Sequence, residues 1–541
     1  MRDHLLLFIN GRRHEVRGRD AFLSLSDYLR LRCGLVGTKI VCSEGDCGAC
    51  TTLIGRPALS PPPSKGWEQP STVAGGDRAQ GGSSCEAIRG GIHAAALSAS
   101  APIANDSENP SPNLSLQGRG TQFHYRPVDS CIQFLFQLDG AHVVTVEGLR
   151  RDGTLSGVQQ AMVDCHGSQC GFCTPGFVMS MTGLLEEEST LKESQLRTGL
   201  TGNLCRCTGY TPILEAGLQC NEAEHPRLGE LYPAAPMIAD LQPHLSEPVR
   251  IETMAYGEKQ IACCPTTLDD ALEFLAAHPT AAIVAGATDI GVRANKAHKL
   301  PSTILDLNRI AELDFVAVDS GVVRCGARAS WTALLNAFRQ QTPEFARILQ
   351  LFGAPQIRHV GTIAGNIANA SPIADSLPFL FVMEATLVLA SQSGRRVVNI
   401  NEFYHGYKKL EMKPGEMIVE VRIPLPSEGE LLQLYKVSRR RDLDISGFTA
   451  AVRVQLDGEA IKQASIAFGA VGPTVLRAKQ TERFLVGEPL TLETMQTAGD
   501  IAVSEVTPID DVRGSAEYRR QLTRNVLLKF YHQTQSRLAP A

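Results

Sequence analysis

Cys42, Cys47 and Cys50 stand in a C-x4-C-x2-C spacing, so three thiolates must wrap one compact centre. That spacing suits a [2Fe–2S] cluster of the plant type, whose fourth ligand comes from farther along the chain. Gly45 and Gly48 fit the same task, because a loop closing on a cluster needs positive φ and backbone N–H groups close to sulfur. Cys131 is expected as the fourth ligand, since it opens an organised stretch at 131–138, whereas Cys85 lies in low-complexity sequence. A second constellation follows: Cys170 and Cys173 two residues apart, then Cys205 and Cys207 one residue apart. Thr174 with Pro175, and Thr211 with Pro212, predict two helices with a threonine N-cap and proline at the first helical position. Their positive dipole ends would then face the thiolates. Four such thiolates suit a second iron–sulfur cluster or a tetrahedral zinc ion. The upstream motif favours iron, because two neighbouring clusters make an electron path and zinc carries no electrons. Cys33, Cys85, Cys165, Cys220, Cys263, Cys264 and Cys325 show no ligand spacing and read as buried small hydrophobes or free thiols.

Farther along, Ile283, Val284, Ala285, Gly286, Ala287, Thr288, Asp289 and Ile290 form an apolar strand running into a glycine turn with two hydrogen-bonding groups. The run is not G-x-G-x-x-G, so a Rossmann nucleotide site is not supported. A second run of small residues, 361–375, offers Asn366, Ser371 and Asp375 beside glycines that allow close backbone approach to a ligand. In isolation each run reads equally as a turn-rich loop.

The elements that must position these groups follow from pattern. An apolar strand at 4–9, the turn Asn10 and Gly11, and a strand near 12–16 predict a hairpin. Ser24 would cap a helix carrying Leu25, Tyr28, Leu29 and Leu31. Residues 57–123 are rich in Pro, Gly and Ser, lack an apolar period, and read as a low-complexity insert. Residues 155–220 read as helices joined by cysteine-bearing turns. From 265 onward helices and strands alternate, for instance a helix at 267–277 before a strand at 282–285, and strands recur near 432–437, 450–454 and 464–469 ahead of C-terminal helices. The expected division is 1–150, 151–221, a linker at 222–254, 255–430 and 431–541.

With 541 residues, 43% hydrophobic and 20% charged, the chain has ordinary globular composition and length for several domains. A net charge of −5 does not favour nucleic acid. No apolar run is long enough to span a bilayer and no secretory signal is recognisable, so a cytoplasmic setting with reduced thiols is expected.

Four segments together, TKIVCSEGDCGAC at 38–50, GSQCGFCTPGF at 167–177, GNLCRCTGY at 202–210 and GTIAGNIANASPIAD at 361–375, closely resemble the iron–sulfur/FAD subunit of xanthine dehydrogenases, in the molybdenum hydroxylase family. The resemblance implies an α+β multidomain fold: a β-grasp ferredoxin domain, a helical-bundle cluster domain, a vanillyl-alcohol-oxidase-type FAD domain and a C-terminal α/β domain. It implies one [2Fe–2S] cluster on Cys42, Cys47, Cys50 and Cys131 and another on Cys170, Cys173, Cys205 and Cys207. FAD contacts would map to residues 283–290, Phe352, Thr362, Gly365, Asn366, Asp375, Ile418 and Lys436, with Asp375 suited to a ribose hydroxyl and Lys436 near the isoalloxazine. A purine would be hydroxylated with water at a molybdopterin centre on a separate large subunit, within a heterotetramer of two small and two large subunits. Electrons would pass through the bundle cluster, then the ferredoxin-type cluster, to FAD and NAD+, and no catalytic residue for hydroxylation is expected in this chain. A subunit acting on another heterocycle or an aldehyde, and a non-catalytic redox-sensing or assembly protein, are the competing readings. Two departures from the family pattern stand out. Val41 replaces a usual glycine, which would strain a backbone with φ > 0, and the insert parts Cys50 from Cys131.

Overall fold

The computed structural model describes residues 1–57, 122–220, 225–255 and 257–538. His4–Ile9 pairs antiparallel with Arg12–Arg17, His4 opposite Arg17 and Ile9 opposite Arg12. The chain reverses through Asn10 and Gly11, whose φ values of 47° and 76° are those of a two-residue hairpin turn. The five-stranded sheet runs in the order Arg12–Arg17, His4–Ile9, His142–Val144, Thr51–Pro57, Phe123–Asp129. The Ser24 side chain caps Leu25–Leu31 by accepting from the Asp27 N–H; Leu31 itself is exposed rather than buried with Leu25 and Leu29.

The first strand reads HLLLFI without polar alternation because both of its faces are covered. Leu5, Leu7 and Ile9 share a core with Val249, Ile251 and Ile304 of a second sheet. Leu6 and Phe8 pack on the opposite side against Phe177, Met181 and Leu196 of the helical unit. That unit comprises Gly157–Asp164, Thr174–Leu185, Glu193–Gly199 and Thr211–Gln219. The first sheet is thus the middle layer between the helices and the unit that follows.

Thr51–Pro57 pairs with Phe123–Asp129, Pro57 lying opposite Phe123. The expected insert and Cys85 fall almost entirely at 58–121, outside the described residues. The chain leaves and re-enters the sheet at adjacent rungs, so closing a long loop there costs only a term logarithmic in its length. Replacing residues 58–122 by Asn-Gly should therefore preserve iron and flavin content, and loss of either on elemental and absorption analysis would show that the insert serves the fold.

Buried His142 ties this sheet together. Its Nε2 accepts the Gly11 N–H at 3.0 Å, so Nδ1 carries the proton and bonds the Tyr125 hydroxyl at 2.6 Å. Burial lowers its pKa from 6.5 to about 4. The folded state then binds fewer protons than the unfolded chain between these values, so the stability tied to neutral His142 is present above 6.5 and lost as pH falls toward 4. About 3 kcal/mol is the scale of that loss. Hydrogen exchange of the sheet amides should show it on going from pH 7 to 5, with a smaller change in His142→Phe.

The stretch 222–254, expected as a linker, is largely built into the fold. It holds the helices Leu228–Leu231 and Ala234–Leu241, and its end forms Val249–Ala255, antiparallel to Glu258–Cys264. Polar alternation and prolines hide this strand in the sequence; its inward residues Val249 and Ile251 become core only when the first sheet packs on them. A four-stranded sheet (Val249–Ala255, Glu258–Cys264, Thr303–Asp306, Ala282–Val284) and a five-stranded sheet (Val316–Asp319, Val322–Gly326, Met417–Pro424, Thr386–Ser391, Gly394–Asn399) make up the third unit. The last carries Leu431–Val437, Phe448–Asp457, Ala460–Gly469 and Leu476–Arg477, backed by Leu492–Glu505 and the long helix Ala516–Leu538. The architecture is α+β and multidomain. No helix among the described residues is long and apolar enough to cross a membrane.

Candidate functional site

The first cysteine loop folds as its glycines require: Gly45 and Gly48 have φ of 72° and 66°. Val41 is not among the positive-φ residues; Ser43, at 59°, takes that conformation, so the anticipated strain at Val41 is absent. The loop brings Cys42 and Cys47 within hydrogen-bond reach of each other. Cys50 reaches Cys131 in the same way, both buried beside Ile132. The Cys42 thiol is held down to about 5, first by the Cys47 hydrogen bond and then, against burial, by the N–H groups of Glu44, Asp46 and Cys47. The Cys50 thiol is pushed up by its bond to Cys131 and by burial.

In the second set the pairing crosses between the motifs. Cys207 lies 3.5 Å from Cys170, and Cys205 is hydrogen-bonded to Cys173, all four being free thiols. The two helices begin one residue earlier than threonine capping predicts: they span Thr174–Leu185 and Thr211–Gln219, with Cys173 and Tyr210 at the N-cap positions and each proline at the second helical position. Neither threonine side chain caps; that of Thr174 bonds Ser168 instead. The shift puts Cys173 itself at the positive end of its helix, while the Cys205 N–H donates to the Tyr210 hydroxyl. The Cys170 thiol is lowered chiefly by the Phe172 N–H, and burial raises that of Cys173 to about 12.

Eight sulfurs therefore meet in four pairs, and among the described residues no three His, Cys, Asp or Glu side chains converge on a single metal-sized point. Two pairs per set match a dinuclear centre, in which each iron takes two thiolates. One tetrahedral zinc would need four sulfurs around one point. Among the other cysteines, Cys220, Cys263, Cys264 and Cys325 are buried, and Cys33 and Cys165 are half-buried.

The two glycine-bearing runs come together. Ala282–Val284 leads into Ala287 at φ 57° and the helix Thr288–Ala297. Gly286 is pressed on the second run so closely that a Cβ there would stand 2.1 Å from the Val360 carbonyl oxygen. Thr362 caps Ile363–Asn369 by accepting from the Gly365 N–H at 3.2 Å, and Asn369 bonds Asp289 at 3.3 Å across the two runs. Asn366 accepts from the Ser376 hydroxyl at 2.6 Å. Asp375 and Lys436, far apart in sequence, form a buried ion pair at 2.6 Å, and Asp375 also accepts from Ser446 at 2.5 Å. Oδ2 thus holds the ammonium and Oδ1 the Ser446 hydroxyl, so both carboxylate oxygens are engaged within the protein. Lys436 opens on a cleft of about 320 Å³ lined by Leu351 and residues 437–441, three of them arginines. Phe352 stands edge-on to Trp331 at 4.9 Å, and Ile418 is buried in the strand Met417–Pro424. Small backbone turns, a held ammonium and an adjoining cleft are a donor set that fits a flavin.

Residues outside the motifs join these places. Asn295, on the helix that starts at Thr288, donates from Nδ2 to the carbonyls of both Ser43 and Cys131, at 3.0 and 2.9 Å, and so clips together the two segments carrying the first set. Gln133 and Gln137 bond the carbonyls of Gly286 and Ala285. No local signal in the sequence marks these three residues.

A family profile described as a [2Fe-2S] binding domain matches residues 145–218, and one described as an FAD binding domain in molybdopterin dehydrogenase matches 256–426. A third, a CO dehydrogenase flavoprotein C-terminal domain, matches 433–534. Xanthine dehydrogenase of Drosophila subobscura is 28% identical across 99% of this chain and 40% of its own length. In these matches the chain is similar to the iron–sulfur and flavin parts of molybdenum hydroxylases. Aldehyde oxidase 1 of Bos taurus is 29% identical across 97% of this chain and 39% of its own. The carbon monoxide dehydrogenase structure from Hydrogenophaga pseudoflava is 28% identical over 51% of this chain and 97% of that chain, with a TM-score of 0.49. The chain spans about 40% of the length of the curated relatives it matches. Within it, the helical unit of the [2Fe-2S] match carries the second cysteine set, and both glycine-bearing runs fall inside the FAD match.

Proposed function

We propose that this chain is the electron-transfer part of a xanthine dehydrogenase, receiving electrons from purine hydroxylation at a molybdopterin centre on a partner subunit and delivering them to NAD+. Cys170, Cys173, Cys205 and Cys207 would hold one [2Fe–2S] cluster and Cys42, Cys47, Cys50 and Cys131 another, while residues 283–290, Phe352, Thr362, Gly365, Asn366, Asp375, Ile418 and Lys436 would hold FAD. Bound clusters supply one-electron steps and FAD the change to a two-electron donor for NAD+. The chain's own residues hold, orient and insulate these groups.

The carrying observation is the contiguity of the three places. The Leu204 N–H donates to the Cys47 carbonyl at 3.0 Å, one residue from Cys205, and Asn295 ties the first set to the helix rising from the flavin turn. Phe172, Leu204 and Tyr210, within three residues in sequence of the exposed Cys170 or Cys207, are themselves exposed, a surface suited to burial by a molybdopterin-bearing partner. The likeness to bovine aldehyde oxidase 1 supports the alternative that the partner centre takes an aldehyde or another heterocycle. A heterotetramer of two small and two large subunits in the cytoplasm completes the proposal.

Full chain purified with iron supplied should carry about four irons and one FAD, and NADH should bleach the flavin absorption. Background iron with stoichiometric zinc would reject the reading. Paired with its partner, the enzyme should reduce NAD+ with xanthine; turnover of aldehydes alone would move the assignment to the alternative.

A further inference from the structure

Gln356 belongs to the short helix Pro355–Arg358 of the flavin unit, yet its side chain ends between the two cysteine loops and is fully buried. Its Nε2 lies 3.0 Å from Asn203 Oδ1 and 3.3 Å from both Thr51 Oγ1 and Ser180 Oγ. Each partner belongs to the apparatus of one cysteine set. Thr51 follows Cys50 and donates its hydroxyl to the Gly48 carbonyl at 2.7 Å. Asn203 precedes Cys205 by two residues and donates to the same carbonyl at 3.2 Å. Ser180, on the helix that begins after Cys173, donates to Asn203 Oδ1 at 2.8 Å. With both hydroxyl protons committed, Thr51 and Ser180 face Gln356 as acceptors, and the two Nε2 protons of its amide serve them and Asn203 together, one proton being shared between two acceptors.

The backbones meet here closely enough to exclude any side chain. A Cβ on Gly176 would stand 2.0 Å from the Gly48 carbonyl oxygen, one on Gly48 2.3 Å from that of Gly202, and one on Gly202 2.0 Å from Gln356 Oε1. Close packing of this kind transmits a displacement of one loop to the other instead of absorbing it.

We infer that Gln356 is a positioning residue for electron passage between the two cysteine sets: a side chain of the flavin unit that sets their separation and orientation. This rests on the proposed two-cluster function and deepens it. In each transfer one set is oxidised by one electron as the other is reduced, and the rate of such a step falls steeply with separation. A residue that orients ligand loops without touching the metal ordinarily changes function by about 10- to 100-fold.

The test uses the full chain loaded with iron and FAD. Wild type should show magnetic splitting between its two reduced clusters in low-temperature electron paramagnetic resonance. Gln356→Met keeps the volume and removes the amide; it should retain iron and FAD, change that splitting, and slow electron equilibration between the sets about tenfold or more. Thr51→Val, which removes one acceptor, should change the splitting in the same sense but less. His359→Leu is the control, since His359 also bridges the flavin unit and the first sheet, bonding the Pro127 carbonyl at 2.8 Å, without reaching either cysteine loop; its splitting should equal wild type. Unchanged splitting and rate in Gln356→Met, or an equal change in His359→Leu, overturns the inference while leaving the two-cluster reading intact. Fewer than four irons in wild type overturns that reading itself. Should Gln356→Met lose iron, Thr51→Val decides: altered splitting upholds the inference and wild-type splitting rejects it.

Discussion

Cys131→Ser should leave the chain with about two of its four irons, whereas Cys85→Ser should keep all four, measured by elemental analysis and by the loss of one of two paramagnetic signals. Cys131 is buried, hydrogen-bonded to Cys50 and immobilised at its carbonyl by Asn295. A serine hydroxyl there is a poor ligand for iron, and among the described residues no other thiol occupies this position. Asp129, buried beside Cys50 with its Oδ1 3.6 Å from the sulfur, has its pKa raised to about 7, mainly by burial. An added carboxylate in that pocket would compete with the thiolates for charge stabilisation, so no acidic substitution at Cys131 should rescue the cluster. Four irons in Cys131→Ser together with two in Cys85→Ser would transfer the ligand role to Cys85.

Asp139→Asn should destabilise the junction of the first sheet and the flavin unit by about 3–5 kcal/mol, the usual cost of removing one partner from a buried ion pair. Asp139 is 1% exposed at its side chain and lies between two guanidinium groups, Arg2 at 2.8 Å and Arg309 at 3.2 Å. It also accepts the Leu6 N–H at 2.7 Å, on the strand that faces both neighbouring cores. Arg309 belongs to the flavin unit and bonds the carbonyls of His244, Leu245 and Glu247 in the connecting stretch. The asparagine keeps the shape and takes from two buried guanidinium groups the carboxylate they share, leaving Arg2 only the part-exposed Glu247 at 3.0 Å. Urea unfolding followed by hydrogen exchange at the first strand should show the loss. Arg17→Ala, which removes an exposed ion-pair partner of Asp3 and Glu15, should leave the same readout unchanged; equal effects of the two substitutions would refute the buried-charge argument.

The cysteine loops, the opening hairpin and the strand-to-glycine turn at 283–290 were legible because each depends on neighbours in sequence. Spacing decides whether three sulfurs can face one centre, and Asn10 with Gly11 decides the turn whatever surrounds it. The helix starts after Cys173 and Tyr210 were misread by one residue because a threonine before a proline satisfies the capping pattern at either position; contact with the cysteine loops selects between them. The strand Val249–Ala255 was hidden for a related reason. Its inward residues are apolar only at alternate positions amid prolines and charges, and the partner that makes them core arrives from the N-terminal sheet.

The sequence by itself determined the kinds of chemistry available: thiolates at cluster spacing, and small-residue turns able to receive a large planar cofactor. Tertiary structure alone decided the crosswise sulfur pairs, the Lys436–Asp375 ion pair, and the glutamine and asparagine side chains that bind the units together. Covalent neighbours constrain a loop over a few residues, and that constraint is written as spacing. Contacts such as Gln356 to Thr51 and Asn203 exist only after separately built surfaces dock, and a buried amide that joins such surfaces leaves no periodic trace in the chain that carries it.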